Sequence, residues 1–265
     1  MKSLNSILIT GASSGIGEAL ALECARRGAR HLFLCGRNAE RLADVASRCR
    51  AAGTGTVHER ILDVTDETAT RDWIAACDAV APLELVFSNA GVATGRENET
   101  NVRRTFATNV NGNLNVVLPL LDRFRAAPEG RSRRQVVITA SIAGYGPLPS
   151  CPSYSASKAA LKTWALSLRK PLAREGIRIN VICPGFIRSR ITDLNTCPMP
   201  FFMEADRAAR IILRRVDRNV GLIAFPWPMR LATWLLSICP WRLAESFSSL
   251  LPEKNAENRH DSAGR

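Results

Sequence analysis

The chain runs to 265 residues, 46% hydrophobic and 23% charged, a balance that suits a globular enzyme with a substantial core. Its net charge is +12, with 31 Arg among 36 basic residues scattered along the chain; with no recognised motif beside them, they fit compositional bias or a basic face toward anionic membrane or phosphorylated ligands, not nucleic acid. Eight Cys without a CxxC pair and three scattered His match no metal or disulfide pattern, and no apolar run reaches the ~18 residues of a spanning helix.

Short apolar runs alternate with amphipathic stretches, which predicts βαβ units around a parallel sheet. The first run, SILIT (6–10), leads into TGASSGIG (10–17) and a helix over 15–27. A glycine turn between strand and helix lets backbone approach a ligand, and the helix N-terminus favours a pyrophosphate. Gly11, Ser13, Ser14, Gly15, Ile16 and Gly17 are therefore candidate cofactor ligands; the alternative is a tight turn that binds nothing. The second strand, HLFLC (31–35), ends in CGRN. An acidic residue there would bind an adenosine 2′-hydroxyl and repel a 2′-phosphate. Gly36 and Arg37 stand in its place, and arginine pairs with phosphate. NADP(H) is preferred over NAD(H), unless Arg37 merely points into solvent.

After a helix over 38–51, VHERIL (57–62) gives a third strand with Asp63 and Val64 at its end. Asp63 would accept from an adenine amino group with Val64 against the ring, or cap the helix over 67–80. LELVFS (83–88) leads to Asn89, Ala90 and Gly91, which a doubly wound sheet places at the same carboxyl edge. One long helix is expected over 100–125, a polar surface loop over 127–134 and a fifth strand over QVVITA (135–140). Ser141 follows. Tyr154 and Lys158, four apart in SYSASKAALKTW, share a face of a helix over 154–174. A tyrosine near its solution pKa of ~10 is a poor base at neutral pH. A neighbouring ammonium and an oxidised nicotinamide would both lower that value. Ser141 would then donate to a substrate oxygen. The alternative is a surface Tyr–Lys pair on an amphipathic helix. RINVIC (178–183), a helix over 204–216 and VGLIAF (220–225) complete seven strands.

Residues 226–251 differ, carrying three of the five Trp and broken by Pro226, Pro228 and Pro240. Leu231, Trp234, Leu235 and Ile238 share a helical face. That face suits a lid, a contact with a twin subunit or a peripheral membrane contact through 226–251. Three units are expected: a dinucleotide-binding and catalytic domain over 1–225, a hydrophobic helical extension over 226–252, and a disordered tail over 253–265.

The ordered set resembles the short-chain dehydrogenase/reductase family from about residue 5 to residue 190. The likeness rests on TGASSGIG, Asp63-Val64, Asn89-Ala90-Gly91, Asn109, Ser141, Tyr154-x-x-x-Lys158 and Pro184-Gly185. It implies that Tyr154 is the general acid in reduction and the general base in oxidation. Lys158 would hold the nicotinamide ribose and depress the Tyr154 pKa, and Ser141 would orient the carbonyl. Asn109 would hold a water in a proton relay to Lys158. Pro184 to Ile187 would border the nicotinamide, Ile187 by its backbone, and Ser189 stands where a threonine is usual. Two departures stand out: Ser88 in SNAG, and a seventh strand that runs into FPWPMR instead of the glycine-containing end of the tetrameric oxoacyl carrier-protein reductases. The tail is more similar to members akin to hydroxysteroid dehydrogenases.

The expected architecture is α/β: a single-domain doubly wound (Rossmann) seven-stranded parallel sheet flanked by helices, with a C-terminal helical extension. The expected activity is NADP(H)-dependent interconversion of a carbonyl and an alcohol on a small apolar substrate, with Leu148, Phe186, Phe201 and Phe202 near the cleft. The alternatives are an NAD-dependent alcohol or hydroxysteroid dehydrogenase and a non-catalytic nucleotide-binding protein. No metal and no targeting signal are expected; a homo-oligomer, with a dimer favoured, is. Reduced thiols place the protein in the cytoplasm, or peripherally at the inner face of a membrane.

Overall fold

Seven short apolar strands set the frame. In the computed structural model, which describes residues 5–126, 133–189, 192 and 199–238, β1 (Ser6–Thr10) lies between β2 (His31–Gly36) and β4 (Leu85–Ser88). Ile7 sits opposite Leu32 on one side and Leu85 on the other, and all pairings are parallel. β3 (Thr56–Ile61) forms one edge, while β5 (Gln135–Thr139), β6 (Arg178–Pro184) and β7 (Leu222–Phe225) extend the other. The order is β3-β2-β1-β4-β5-β6-β7. β1 and β5 are buried at every position, as expected of parallel strands covered on both faces. The edge strand β3 exposes Glu59 and Arg60, charges that discourage pairing with another chain.

Helices α1 (Gly15–Arg26) and α2 (Ala39–Ala51) cover one face. The other carries α3 (Glu67–Val80), α4 (Glu99–Phe106), α5 (Gly112–Ala126) and α6 (Pro152–Arg174). α7 (Ala205–Asp217) joins α1 and α2 around Ile7, Ile9, Leu32 and Leu34, whereas Leu8, Phe33, Val86 and Phe124 centre the core of the opposite face. After winding outward to β3, the chain returns to place β4 beside β1. A crevice opens at this reversal, at the carboxyl ends of the strands.

The single helix expected over 100–125 is in fact two, α4 and α5, joined by a π turn over Ala107–Asn111. Asn113 Nδ2 donates to the Asn109 carbonyl at 2.7 Å and so draws off one backbone acceptor. Gly112 lies so close to β3's end that a Cβ there would stand 2.6 Å from Val64 Cγ2. The first turn of α6 starts at Pro152, two residues earlier than expected, because proline is pre-set for the first helical position. The tail begins with α8 (Trp227–Ile238). The rest of the extension, the tail over 253–265, most of the loop over 127–134, and Cys197 and Cys239 lie outside the described residues. None of the six described cysteines is in a disulfide. No helix among the described residues is long and apolar enough to cross a membrane.

Candidate active site

The turn after β1 is shaped for close approach. Gly11 and Gly15 have φ of +66° and +60°, a region that glycine enters without strain. A Cβ on Gly11 would meet Ala90 Cα at 2.9 Å. Thr10 fastens this turn to the end of β4, because its Oγ1 accepts from Asn89 N and Ala90 N at 3.0 and 3.1 Å. Ser14 is the N-cap of α1 but its side chain makes no cap bond. The first N–H groups of α1 thus remain available to an anion at the positive end of the helix. Gly17 does not line the cleft. It lets α1 press onto the turn, since a Cβ there would run into the Gly11 carbonyl.

At the other end of the cleft, Gly36 packs on Ser13: a Cβ would stand 2.9 Å from Ser13 Oγ. No acidic residue stands at this position to oppose a 2′-phosphate. Arg37 Nη1 lies 3.5 Å from Asp63 Oδ2, and both side chains are nearly half exposed. Such a pair is worth roughly 0–1 kcal/mol and is readily redirected. Asp63 Oδ1 accepts from Thr65 N and Oγ1 at 3.0 and 2.9 Å. Partial burial would raise its carboxyl, but those bonds and Arg37 outweigh it and hold the group below the usual carboxylate range. One turn along α2, Arg41 also lines the cleft, and its Nε is buried without a hydrogen-bond partner.

Tyr154 and Lys158 face the cleft from α6, across from the glycine turn. Lys158 Nζ donates to the Thr139 carbonyl at 2.9 Å and lies 5.8 Å from the centre of the Tyr154 ring. Burial pushes Lys158 down to about 8. Burial also pushes the Tyr154 phenol up to about 12, against the pull of a hydrogen bond with Ser141. Ser141 Oγ in turn accepts from Ala143 N at 3.1 Å and reaches the Pro184 carbonyl at 3.5 Å. Burial thus favours the neutral phenol.

Every residue singled out in the sequence as a ligand or catalytic group lines this one cleft, with the exceptions of Gly17 and Asn109. Asn109 braces the cleft from behind. Its Oδ1 accepts from Val92 N at 2.8 Å, and its Nδ2 donates to the Val92 carbonyl and Ser157 Oγ, both at 3.0 Å. Leu148, Phe186, Phe201 and Phe202 do not line the cleft. Phe202 instead stacks near the Arg188 guanidinium at 5.2 Å, and Phe201 is exposed. The sequence reading missed Arg41, Thr139 and Thr192 as lining residues. Arg41 carried a signal, as a second arginine four residues beyond Arg37 in the first turn of α2; Thr139 and Thr192 carried none.

The family model for short chain dehydrogenases matches residues 5–196. An oxidoreductase of Myxococcus xanthus is 39% identical over 247 residues, spanning 90% of this chain and 94% of that protein. A solved short-chain dehydrogenase from Sphingobium yanoikuyae, in complex with NADPH, superposes with a TM-score of 0.76 at 25% identity, covering 97% of this chain and 100% of that one. A short-chain dehydrogenase/reductase from Burkholderia phymatum, in complex with NAD, gives a TM-score of 0.79 at 24% identity, with 88% and 92% covered. The chain belongs to the short-chain dehydrogenase/reductase family and is an oxidoreductase that uses NAD(P).

Proposed function

We propose that the protein interconverts a carbonyl and an alcohol with NADP(H), and that Tyr154 is the group that gives and takes the proton. The observation that carries this reading is the placement of the Tyr154 phenol within a hydrogen bond of Ser141 and one helical turn from Lys158, in the same cleft as the glycine turn. The residues present fit a dinucleotide phosphate. The turn at Gly11 lines the cleft with its backbone, Gly36 carries no acid, and Arg41 Nε lacks a partner. The turn at 11–17 and the start of α1 would hold the pyrophosphate, Arg37 and Arg41 the 2′-phosphate, and Lys158 the nicotinamide ribose. When bound, the nicotinamide supplies or accepts the hydride.

In reduction, Ser141 holds the carbonyl oxygen, and Tyr154 releases its proton to that oxygen as negative charge develops there. The Lys158 ammonium stabilises the phenolate left behind. In oxidation the phenolate takes the alcohol proton, and Ser141 again holds the oxygen.

NAD(H) is the second reading, favoured by the Arg37–Asp63 contact, which engages the charge expected to meet a phosphate. Titrating tryptophan fluorescence with NADPH and NADH side by side separates the two. We expect tighter NADPH binding, weakened about 10–100-fold by Arg37→Asp and less by Arg41→Ala, with NADH little changed. Equal affinities in the wild type, or an Arg37→Asp variant that still prefers NADPH, sink the phosphate assignment. In NADPH-dependent reduction of phenanthrenequinone, an apolar dicarbonyl, Tyr154→Phe should lose about 10²–10⁴ in kcat while keeping cofactor affinity. The assembly we propose is a homodimer, with α8 as its contact.

A further inference from the structure

Helix α6 starts without a cap of its own. Cys151 occupies the N-cap position yet makes no side-chain bond to the first turn, and no acidic residue stands in that turn. Pro152 has no N–H, so Ser153 provides the first free donor. Tyr154 follows immediately, in the turn of a helix that frays most readily. Any loosening there moves the phenol away from Ser141.

The missing cap comes from a distant part of the chain. Glu97 Oε1 accepts from Ser153 N at 2.9 Å and from Ser153 Oγ at 2.7 Å. A carboxylate at this place satisfies an orphan donor and complements the positive end of the helix. The segment that presents Glu97 is itself tied to the cofactor side of the cleft. Gly91 lines the cleft, and the next residue, Val92, has both backbone groups held by Asn109. Further along, Thr94 Oγ1 donates to the Asn101 carbonyl at 3.2 Å, and Asn101 Nδ2 donates to the Arg96 carbonyl at 2.9 Å. Asn98 then caps α4 through its bond from Asn101 N.

We propose that Glu97 is a positioning residue that caps α6 from the segment after β4 and holds Tyr154 against Ser141, linking the phenol to the segment bordering the cofactor. Ser155 and Ser157 complete the anchorage. Ser155 Oγ lies 2.9 Å from the Ala143 carbonyl and 2.7 Å from that of Gly146, and Ser157 Oγ accepts from Asn109. Of these three serine anchors, only that at Ser153 depends on a carboxylate. The inference rests on Tyr154 as the proton-transfer group.

Hydrogen–deuterium exchange of the full chain tests it, comparing a peptide over 150–158 with one from β1. In Glu97→Ala the first should exchange roughly 5–30-fold faster, the range for loss of a cap, with β1 unchanged. Glu97→Gln should stay near wild type, because its amide oxygen accepts both hydrogens. A second readout follows Tyr154 itself in a Tyr145→Phe background, where it is the sole tyrosine. At about pH 11 the buried phenol should stay mostly protonated, whereas Glu97→Ala should admit water and show tyrosinate absorbance, again reversed by Gln. Unchanged exchange in Glu97→Ala, a Gln variant as loose as Ala, or equal acceleration in β1 overturns the cap. Wild-type turnover in Tyr154→Phe would instead sink the parent reading and leave the cap standing.

Discussion

At the scale of single residues, two buried groups set the chemistry by opposing shifts. Desolvation disfavours the charged form of each, so it moves lysine down and tyrosine up. Lys158 falls from its ordinary 10.5 to about 8. Below pH 8 both folded and unfolded chains carry that proton. Between about 8 and 10.5 the unfolded chain alone retains it, so stability rises with pH across this window. Lys158→Met has no such proton. Relative to that variant, the cofactor-free wild type should gain roughly 2–3 kcal/mol from pH 8 to 10.5, read from urea midpoints at each pH. A constant difference would mean that Lys158 is solvated. Tyr154 moves the opposite way, to about 12 without cofactor. Reduction needs the phenol and should stay flat through neutral pH. Oxidation needs the phenolate and should accelerate as pH rises. An oxidation rate independent of pH, with chemistry limiting, would remove Tyr154 as the base.

At the scale of elements, the spacing of small residues against neighbours decides what can change. Gly112 opens α5 beneath Val64. Alanine there would gain up to ~1 kcal/mol in helix propensity. Overpacking a buried contact costs about 1–3 kcal/mol. The second effect should win: Gly112→Ala is expected to lower the urea midpoint and, by displacing Val64, to weaken binding of the adenine end. Unchanged NADPH affinity would show that Val64 does not meet the cofactor. Much of this layer was legible in the sequence. All seven strands lie within two residues of their expected starts, because buried parallel strands are apolar runs that need no partner to be recognised. The glycine turn and the Tyr154–Lys158 pair were legible because their spacing is local. The π turn was not, since a helix reads the same through 100–125 until Asn113 reaches back to Asn109. The Glu97 cap was hidden for a similar reason. Its partners are 56 residues apart, and only the fold brings them together.

At the scale of the whole molecule, α8 faces two ways. Its root packs on the catalytic side, where a Cβ on Gly185 would meet Met229 Sδ and Pro226 Cδ, each at 3.0 Å. Its outer face exposes Trp227, Leu231, Leu235 and Ile238, with Trp227 74% exposed. Full burial of such side chains yields about 1.5–3 kcal/mol each, whereas association costs about 4–15 kcal/mol in lost freedom. Together the four side chains approach the lower part of that cost, so the face can contribute to a dimer. Helices that lie in a membrane surface line their polar face with Lys and Arg. α8 carries only Arg230, so a twin subunit suits it better than lipid, despite the net charge of +12. We expect a dimer by sedimentation equilibrium, shifted to monomer by Leu231→Ser with Leu235→Ser, while NADPH affinity stays within about threefold of wild type, since neither side chain lines the cleft. If the double variant remains dimeric and instead loses co-sedimentation with anionic vesicles, the face belongs to a lipid surface. If it changes neither, α8 closes on its own domain, and the contact of Met229 with Gly185 is what it serves.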